Sequence, residues 1–384
     1  MQIINPNHRN PSPQAAIEPP IWCAYLAELY DGEILDAEME GLSVDETVDR
    51  VYDKAIIVAM GSNPSASSTP KVTVSEELKS KLPGSQIVGL HYGNMLDIRN
   101  LKPRWGGTDF SKYRAHNWQC LGELDRSHYG VVYTSFGCPF DCYYCNIRAL
   151  YNGITFRDTQ DVVDEIEDLA SRGVKNLKIA DELFALNEKH VTEICGAIKD
   201  FNLNIWAYAR SDTVTYPMLK SMKRAGVNWL AYGFENSTIS KGDPQKAVSM
   251  TKDIGINVLG NYIFGLPDDT LHSMMDTLDL ARWLNCEWAN FYCAMAYPGS
   301  RLYDDTPSER LPDKWEDYDQ FSINAKPLGT KYVTPEQVLQ FRDFAFDKYF
   351  NKEEYLRMIW KRFGGQAVEH IREMLKWQPR PLKV

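Results

Sequence analysis

The stretch "SFGCPFDCYYCN", residues 135–146, places Cys138, Cys142 and Cys145 on one short segment. Three thiols with no fourth beside them is an informative number. A structural zinc site closes on four ligands, whereas a centre that must bind a substrate keeps one position open. Gly137 and Pro139 suit a tight turn around such a centre. The segment leaves an apolar run at 129–135 that reads as a β-strand, and from there the chain alternates between strand and helix patterns.

That alternation decides the fold. Strands are expected at 129–135, "NLKIAD" (176–181), "IWAYAR" (205–210), "VNWLAYGFE" (227–235), "NVLGNYIFG" (257–265) and "EWANFYCAMAYPG" (287–299). Between them, Val162, Val163, Ile166 and Leu169 share one helical face, as do Leu271, Met274, Leu278 and Ala281. Gly173, Gly226 and Gly255 stand where helices should stop. Six strand-and-helix units in a row predict a parallel, TIM-like partial (β/α)6 barrel over 128–330. Active sites of such barrels lie at the carboxyl ends of the strands, which is where the cysteines fall.

Ahead of the barrel, residues 1–105 alternate as well. "MQIINPN", "EILDAE", "AIIVAMGSN" and "QIVGLHYGN" read as strands, and "IWCAYLAELYDG", "SVDETVDRVY" and "TVSEELKSKL" as helices, with Ser43 as an N-cap. This predicts a small doubly wound, Rossmann-like sheet whose ligands sit on loops beyond the strand ends. Residues 106–127 form a connector without clear period. Residues 331–384 read as a helical C-terminal region, opened by Thr334, Pro335 and Gln337 in a capping box.

Composition narrows the partners. The 384 residues carry 52 acidic against 42 basic side chains, a balance that argues against general binding to nucleic acid or an anionic membrane. No apolar run approaches the roughly 18 residues of a membrane span, and no signal peptide is legible, so the chain reads as cytoplasmic. The remaining cysteines, Cys23, Cys120, Cys195, Cys286 and Cys293, are scattered among apolar residues and read as inert packing. No GxGxxG follows the first strand and no GxxxxGK[ST] occurs, which disfavours a nicotinamide dehydrogenase and a phosphate loop.

"CPFDCYYC" is also CxxxCxΦC, with Tyr144 at the aromatic position, and in this the chain resembles the radical SAM superfamily. The resemblance implies that Cys138, Cys142 and Cys145 hold a 4Fe-4S cluster whose open iron chelates S-adenosylmethionine. It implies further that Asp181 and Glu182, in place of the usual GGE, help hold the methionyl amino group. By the same likeness Arg210 faces the carboxylate, Glu235 in "YGFENS" stands at a GxES-like strand end, and the backbone around Gly265 lies by the adenine. Tyr144 belongs to the same S-adenosylmethionine set.

The front domain, with "PPIWCAYLAELYDGEILDAEMEGLS", resembles the cobalamin-binding class of that superfamily. The DxHxxG motif of other cobalamin proteins is absent, so a corrinoid is expected without a histidine ligand. Ser65, Ser67, Ser68 and Thr69, with His91 on the fourth strand's loop, are the candidate contacts.

The expected function is reductive cleavage of S-adenosylmethionine to a 5'-deoxyadenosyl radical and cobalamin-dependent methylation of an unactivated carbon of a small molecule. An external one-electron reductant of flavodoxin or ferredoxin type is implied. The alternatives are a radical SAM enzyme without cobalamin, performing oxidation, rearrangement or cyclisation, and an iron-sulfur protein that senses redox state or binds a partner. A zinc loop borrowing a distant Cys or His is the bland alternative for the cysteines alone, disfavoured because no second CxxC and no HxxxH accompanies them.

Overall fold

The computed structural model describes residues 1–8, 15–62, 68–122, 125–239, 241–320, 322 and 325–376. The chain folds as two compact units. The first comprises residues 1–115, 127–182 and 297–324, and the second 116–126, 183–296 and the described residues of 325–384.

The first unit opens with β1 (Gln2–Asn5), α1 (Ile21–Leu29), β2 (Glu33–Asp36), α2 (Ala37–Glu40), α3 (Val44–Asp49), β3 (Ala55–Val58), α4 (Thr69–Lys81) and β4 (Gln86–Val88). Its four strands are parallel in the order β2-β1-β3-β4, the expected doubly wound arrangement, with the order reversing between β1 and β3. Residues 21–27 of α1 are all buried, which is why that helix is apolar on every side. Ser43 caps α3 through a capping box, as expected.

At the carboxyl ends of β1 and β2 the unit holds a buried polar network. The Asn5 side-chain amide donates to Asp36 Oδ1 at 2.7 Å, and the Tyr113 hydroxyl to Asp36 Oδ2 at 2.8 Å. Lys71 Nζ donates to Asn5 Oδ1 at 2.8 Å and pairs with Glu38.

The chain then forms β5 (Tyr129–Val132), β6 (Ser135–Gly137), β7 (Ile154–Phe156), α5 (Thr159–Ser171) and β8 (Asn176–Ile179). β5 pairs with β8 in parallel. β6 and β7 make an antiparallel ribbon on either side of the cysteines. The expected single strand at 129–135 is thus two, and β7 has no legible signature, because three residues are too few to show a period.

Arg157, just after β7, is a buried cation. Its Nη1 lies 2.8 Å from Glu165 Oε2 on α5 and donates to the Tyr133 carbonyl at 2.6 Å. Burial pushes Glu165 up to about 7 from its usual 4.5. Removing one member of a buried pair strands the other, so Arg157→Met is expected to cost about 3–5 kcal/mol. Arg157 lowers the Glu165 carboxyl, so without it the folded carboxyl holds its proton to a higher pH than in the wild type, and the deficit relative to wild type grows as pH rises through and above 7. Urea unfolding of this variant and the wild type at pH 5 and pH 8 measures it.

In the second unit α6 (Glu188–Ile198), β9 (Asn204–Ala209), α7 (Tyr216–Arg224), β10 (Val227–Glu235), α8 (Pro244–Asp253), β11 (Asn257–Phe264), α9 (Leu271–Leu284) and β12 (Trp288–Cys293) alternate. β9 to β12 are parallel neighbours in chain order. Met274, Leu278 and Ala281 of α9 are buried as expected, but Leu271 is 53% exposed. It is the first residue of the helix, where the turn has not yet come round to the sheet.

A short α10 (Arg301–Asp304) returns the chain to the first unit. α11 (Pro335–Phe350), α12 (Glu353–Phe363) and α13 (Gly365–Lys376) then complete the second. Thr334 and Gln337 form the expected capping box on α11. Among the described residues no helix is long and apolar enough to cross a membrane. The architecture is α/β with parallel sheets.

Candidate active site

The cysteine loop is held from both sides within the first unit. Gly137 enters it at φ +84°, and a Cβ there would fall 2.2 Å from the Gly153 carbonyl oxygen of the facing strand. Only glycine meets both conditions. The Cys145 N–H donates to the Cys142 carbonyl at 3.0 Å and closes the turn. From the far end of the chain, the Pro298 carbonyl accepts from the Asn146 side chain at 3.2 Å, and the Leu302 N–H donates to the Tyr143 carbonyl at 3.0 Å. Arg301 donates to the Asp141 carbonyl at 2.8 Å. The residues 297–305 are therefore a brace for the loop.

Cys138, Cys142 and Cys145 are half-buried and in no disulfide, while the other five cysteines are buried. Burial pushes Cys145, Cys120, Cys195 and Cys286 up to about 12. Among the described residues no three His, Cys, Asp or Glu side chains are arranged to hold a single metal ion. The soft donor set on one preformed loop fits an iron-sulfur cluster, in which each thiolate takes its own iron.

The acidic pair at the end of β8 divides. Asp181 is buried and accepts from the Thr134 N–H at 2.6 Å, the Thr134 hydroxyl at 2.6 Å and the Ser135 hydroxyl at 2.7 Å. Its carboxylate ties β8 to the strand that feeds the cysteine loop and is engaged on both oxygens. Glu182 is half-buried and makes no hydrogen bond among the described residues. Burial pushes it up to about 7, against the pull of the Lys178 ammonium. Of the two, only Glu182 has its oxygens available.

Lys178 was not singled out by sequence reasoning, although a lysine inside "NLKI" is the signal. It is fully buried, and its Nζ reaches both Glu18 oxygens at 3.0 Å and the Ser62 hydroxyl at 2.7 Å. The Tyr133 hydroxyl donates to the Ser62 carbonyl at 2.9 Å. The loop after β3 is thereby fastened to β5 and β8. Ser65 and Ser67 lie outside the described residues. Ser68 and Thr69 are buried, and Ser68 Oγ accepts from the Gly61 N–H at 3.2 Å. His91 stacks on Trp315 with ring centroids 4.6 Å apart. Both its ring nitrogens are shut off from solvent without partners, and burial lowers its pKa to about 4, leaving it neutral.

In the second unit, Arg210 forms a two-pronged pair with Asp212, at 2.9 and 2.8 Å. Glu235 ends β10 at φ +63° and pairs with Lys241. A non-glycine residue held in that region is a local strain of the kind found at binding sites. The Gly265 N–H donates to Asp269 Oδ2 at 3.0 Å, and a Cβ on Gly265 would meet Val338 of α11 at 2.6 Å. The turn "GLPDD" is thus built around Asp269. Tyr144, back in the first unit, is half-buried beside the thiols.

Residues 132–281, which span the three cysteines, the acidic pair, Arg210, Glu235 and Gly265, match the radical SAM superfamily. Over that segment, which carries the whole cysteine loop, the chain is similar to radical SAM proteins. An uncharacterized methyltransferase of Pyrococcus horikoshii is 26% identical over 93% of this chain and 94% of its own length. The anaerobic magnesium-protoporphyrin IX monomethyl ester cyclase of Rubrivivax gelatinosus is 25% identical over 62% of this chain, which spans 42% of that protein. Among solved structures, the radical S-adenosylmethionine methyltransferase TsrM from Kitasatospora setae, with cobalamin and a 4Fe-4S cluster bound, shares the fold. Its TM-score is 0.58 at 16% identity, over 78% of this chain and 76% of that one.

Proposed function

We propose that this chain is a cobalamin-dependent radical SAM methyltransferase acting on an unactivated carbon of a small molecule. The observation that carries the reading is the braced loop of three half-buried cysteines with Glu182, a carboxylate that no hydrogen bond engages among the described residues, in electrostatic reach of Cys145. The likeness to a methyltransferase along nearly the whole chain and to the cobalamin-bound fold supports the choice of reaction. A reduced 4Fe-4S cluster supplies the electron that cleaves S-adenosylmethionine to a 5'-deoxyadenosyl radical, and a bound corrinoid supplies the methyl carrier.

Cys138, Cys142 and Cys145 hold the cluster, and Glu182 accepts from the methionyl ammonium. Asp181 positions the strand end rather than touching the ligand. Tyr144, Arg210, Glu235 and the backbone at Gly265 complete the S-adenosylmethionine contacts, Arg210 and Glu235 by exchanging their present ion pairs. The barrel is assigned to 128–330, the corrinoid domain to 1–105, the connector to 106–127 and the helical region to 331–384. The corrinoid seat is the crevice at the carboxyl ends of β1, β3 and β4, with His91 and the loop that includes Ser65, Ser67, Ser68 and Thr69 around it. The electron comes from a flavodoxin- or ferredoxin-type donor.

A second reading, radical SAM chemistry without a corrinoid, is favoured by one feature. The network of Asn5, Asp36, Glu38, Lys71 and Tyr113 already fills the ends of β1 and β2. The absorption spectrum of the anaerobically purified chain separates the two, after loading with iron, sulfide and hydroxocobalamin and removal of unbound corrinoid. Corrin bands retained beside the iron-sulfur absorption are expected. Cluster absorption alone puts the second reading first.

A further inference from the structure

Tyr151 lies six residues beyond Cys145 and three before β7, the ribbon's return strand. Its N–H donates to the Ile147 carbonyl at 2.9 Å. Its ring stands 5.6 Å from that of Phe136, and a Cβ on Gly137 would come within 2.9 Å of its own Cβ. The residue is thus packed against the strand that delivers Cys138. Its hydroxyl is shut off from solvent and has no hydrogen-bond partner. An orphaned buried hydroxyl costs about 1–3 kcal/mol, which a bound group that accepts from it would remove.

The phenol and Glu182 feel each other electrostatically, and Glu182 in turn acts on Cys145. A buried donor without an acceptor, packed against Phe136 and Gly137 of the strand that delivers Cys138, is therefore in electrostatic reach of Glu182, a carboxylate that no hydrogen bond engages among the described residues. A ligand carrying an ammonium and a carboxylate on one carbon answers both. Resting on the reading of this chain as a radical SAM enzyme, we propose that Tyr151 binds the α-carboxylate of S-adenosylmethionine while Glu182 binds its α-ammonium. The two side chains would then read the amino-acid end of the ligand as a unit, from the strand that enters the cysteine loop and the one that ends at Glu182.

The test is equilibrium binding to the full chain with its cluster reconstituted, using S-adenosylmethionine and decarboxylated S-adenosylmethionine as probes. Tyr151→Phe keeps the ring and its packing and removes only the hydroxyl. It is expected to weaken S-adenosylmethionine about tenfold, the order of one hydrogen bond to a charged group, and to leave the decarboxylated probe unchanged. Equal affinity of Tyr151→Phe and wild type for S-adenosylmethionine would overturn the assignment. So would equal weakening of both probes, which would mean that the phenol acts through Glu182 on the ammonium. A wild type that binds neither probe would overturn the radical SAM reading itself, and this assignment with it.

Discussion

Cys138→Ala, Cys142→Ala and Cys145→Ala chains are each expected to lose reductive cleavage of S-adenosylmethionine. Loss of an outer partner of a metal ligand commonly lowers affinity or activity by roughly 10–100-fold, and loss of a ligand itself should exceed that. Only three thiols converge on this loop, and the other five cysteines are buried elsewhere in the packing. No spare thiol stands ready to replace the missing one. The fold should survive the change, because the loop is fixed by the Pro298 carbonyl, the Leu302 N–H and the Arg301 guanidinium and not by the thiols. The measurement is 5'-deoxyadenosine formed under dithionite, alongside iron content and far-ultraviolet circular dichroism. A variant that retains native-like circular dichroism and wild-type deoxyadenosine yield contradicts the cluster assignment.

The neighbouring carboxylates at the end of β8 are expected to respond in opposite ways. Asp181→Ala leaves the Thr134 N–H and two hydroxyls buried without their acceptor. At about 1–3 kcal/mol for each stranded group, the loss is several kcal/mol and shows as a much lower urea midpoint with or without cluster. Glu182→Gln removes a carboxylate that no hydrogen bond engages, so its midpoint should stay within about 0.5 kcal/mol of wild type. Its affinity for S-adenosylmethionine should fall at least tenfold, the order of a lost charge-assisted hydrogen bond. If Asp181→Ala unfolds like wild type and binds poorly while Glu182→Gln does the reverse, the two roles are exchanged.

Much of this was legible because it is local. The cysteine spacing, the capping boxes at Ser43 and Thr334, and the alternation of strands and helices are written within a dozen residues of one another. The roles of Asp181 and Glu182 were not separable in that way. Which of two adjacent carboxylates turns inward depends on Thr134 and Ser135, 47 and 46 residues away. Lys178 with Glu18, and Arg157 with Glu165, are likewise pairs that tertiary packing selects. Tyr151 carries no motif at all, since its interest lies in a missing partner. The contact between Ser68 and Gly61 is of the same kind, since a string of letters does not show that the Ser68 hydroxyl accepts from the Gly61 N–H.

The brace on the cysteine loop also sets an order of events during synthesis. Pro298, which accepts from Asn146, is made 152 residues after it. At roughly 5–20 residues per second, the ribosome needs about eight to thirty seconds to supply it. Through that interval the nascent chain displays three thiols on a loop whose supports do not yet exist. Iron and sulfide delivered to the finished protein meet a settled cradle; a metal ion encountered earlier meets a flexible one.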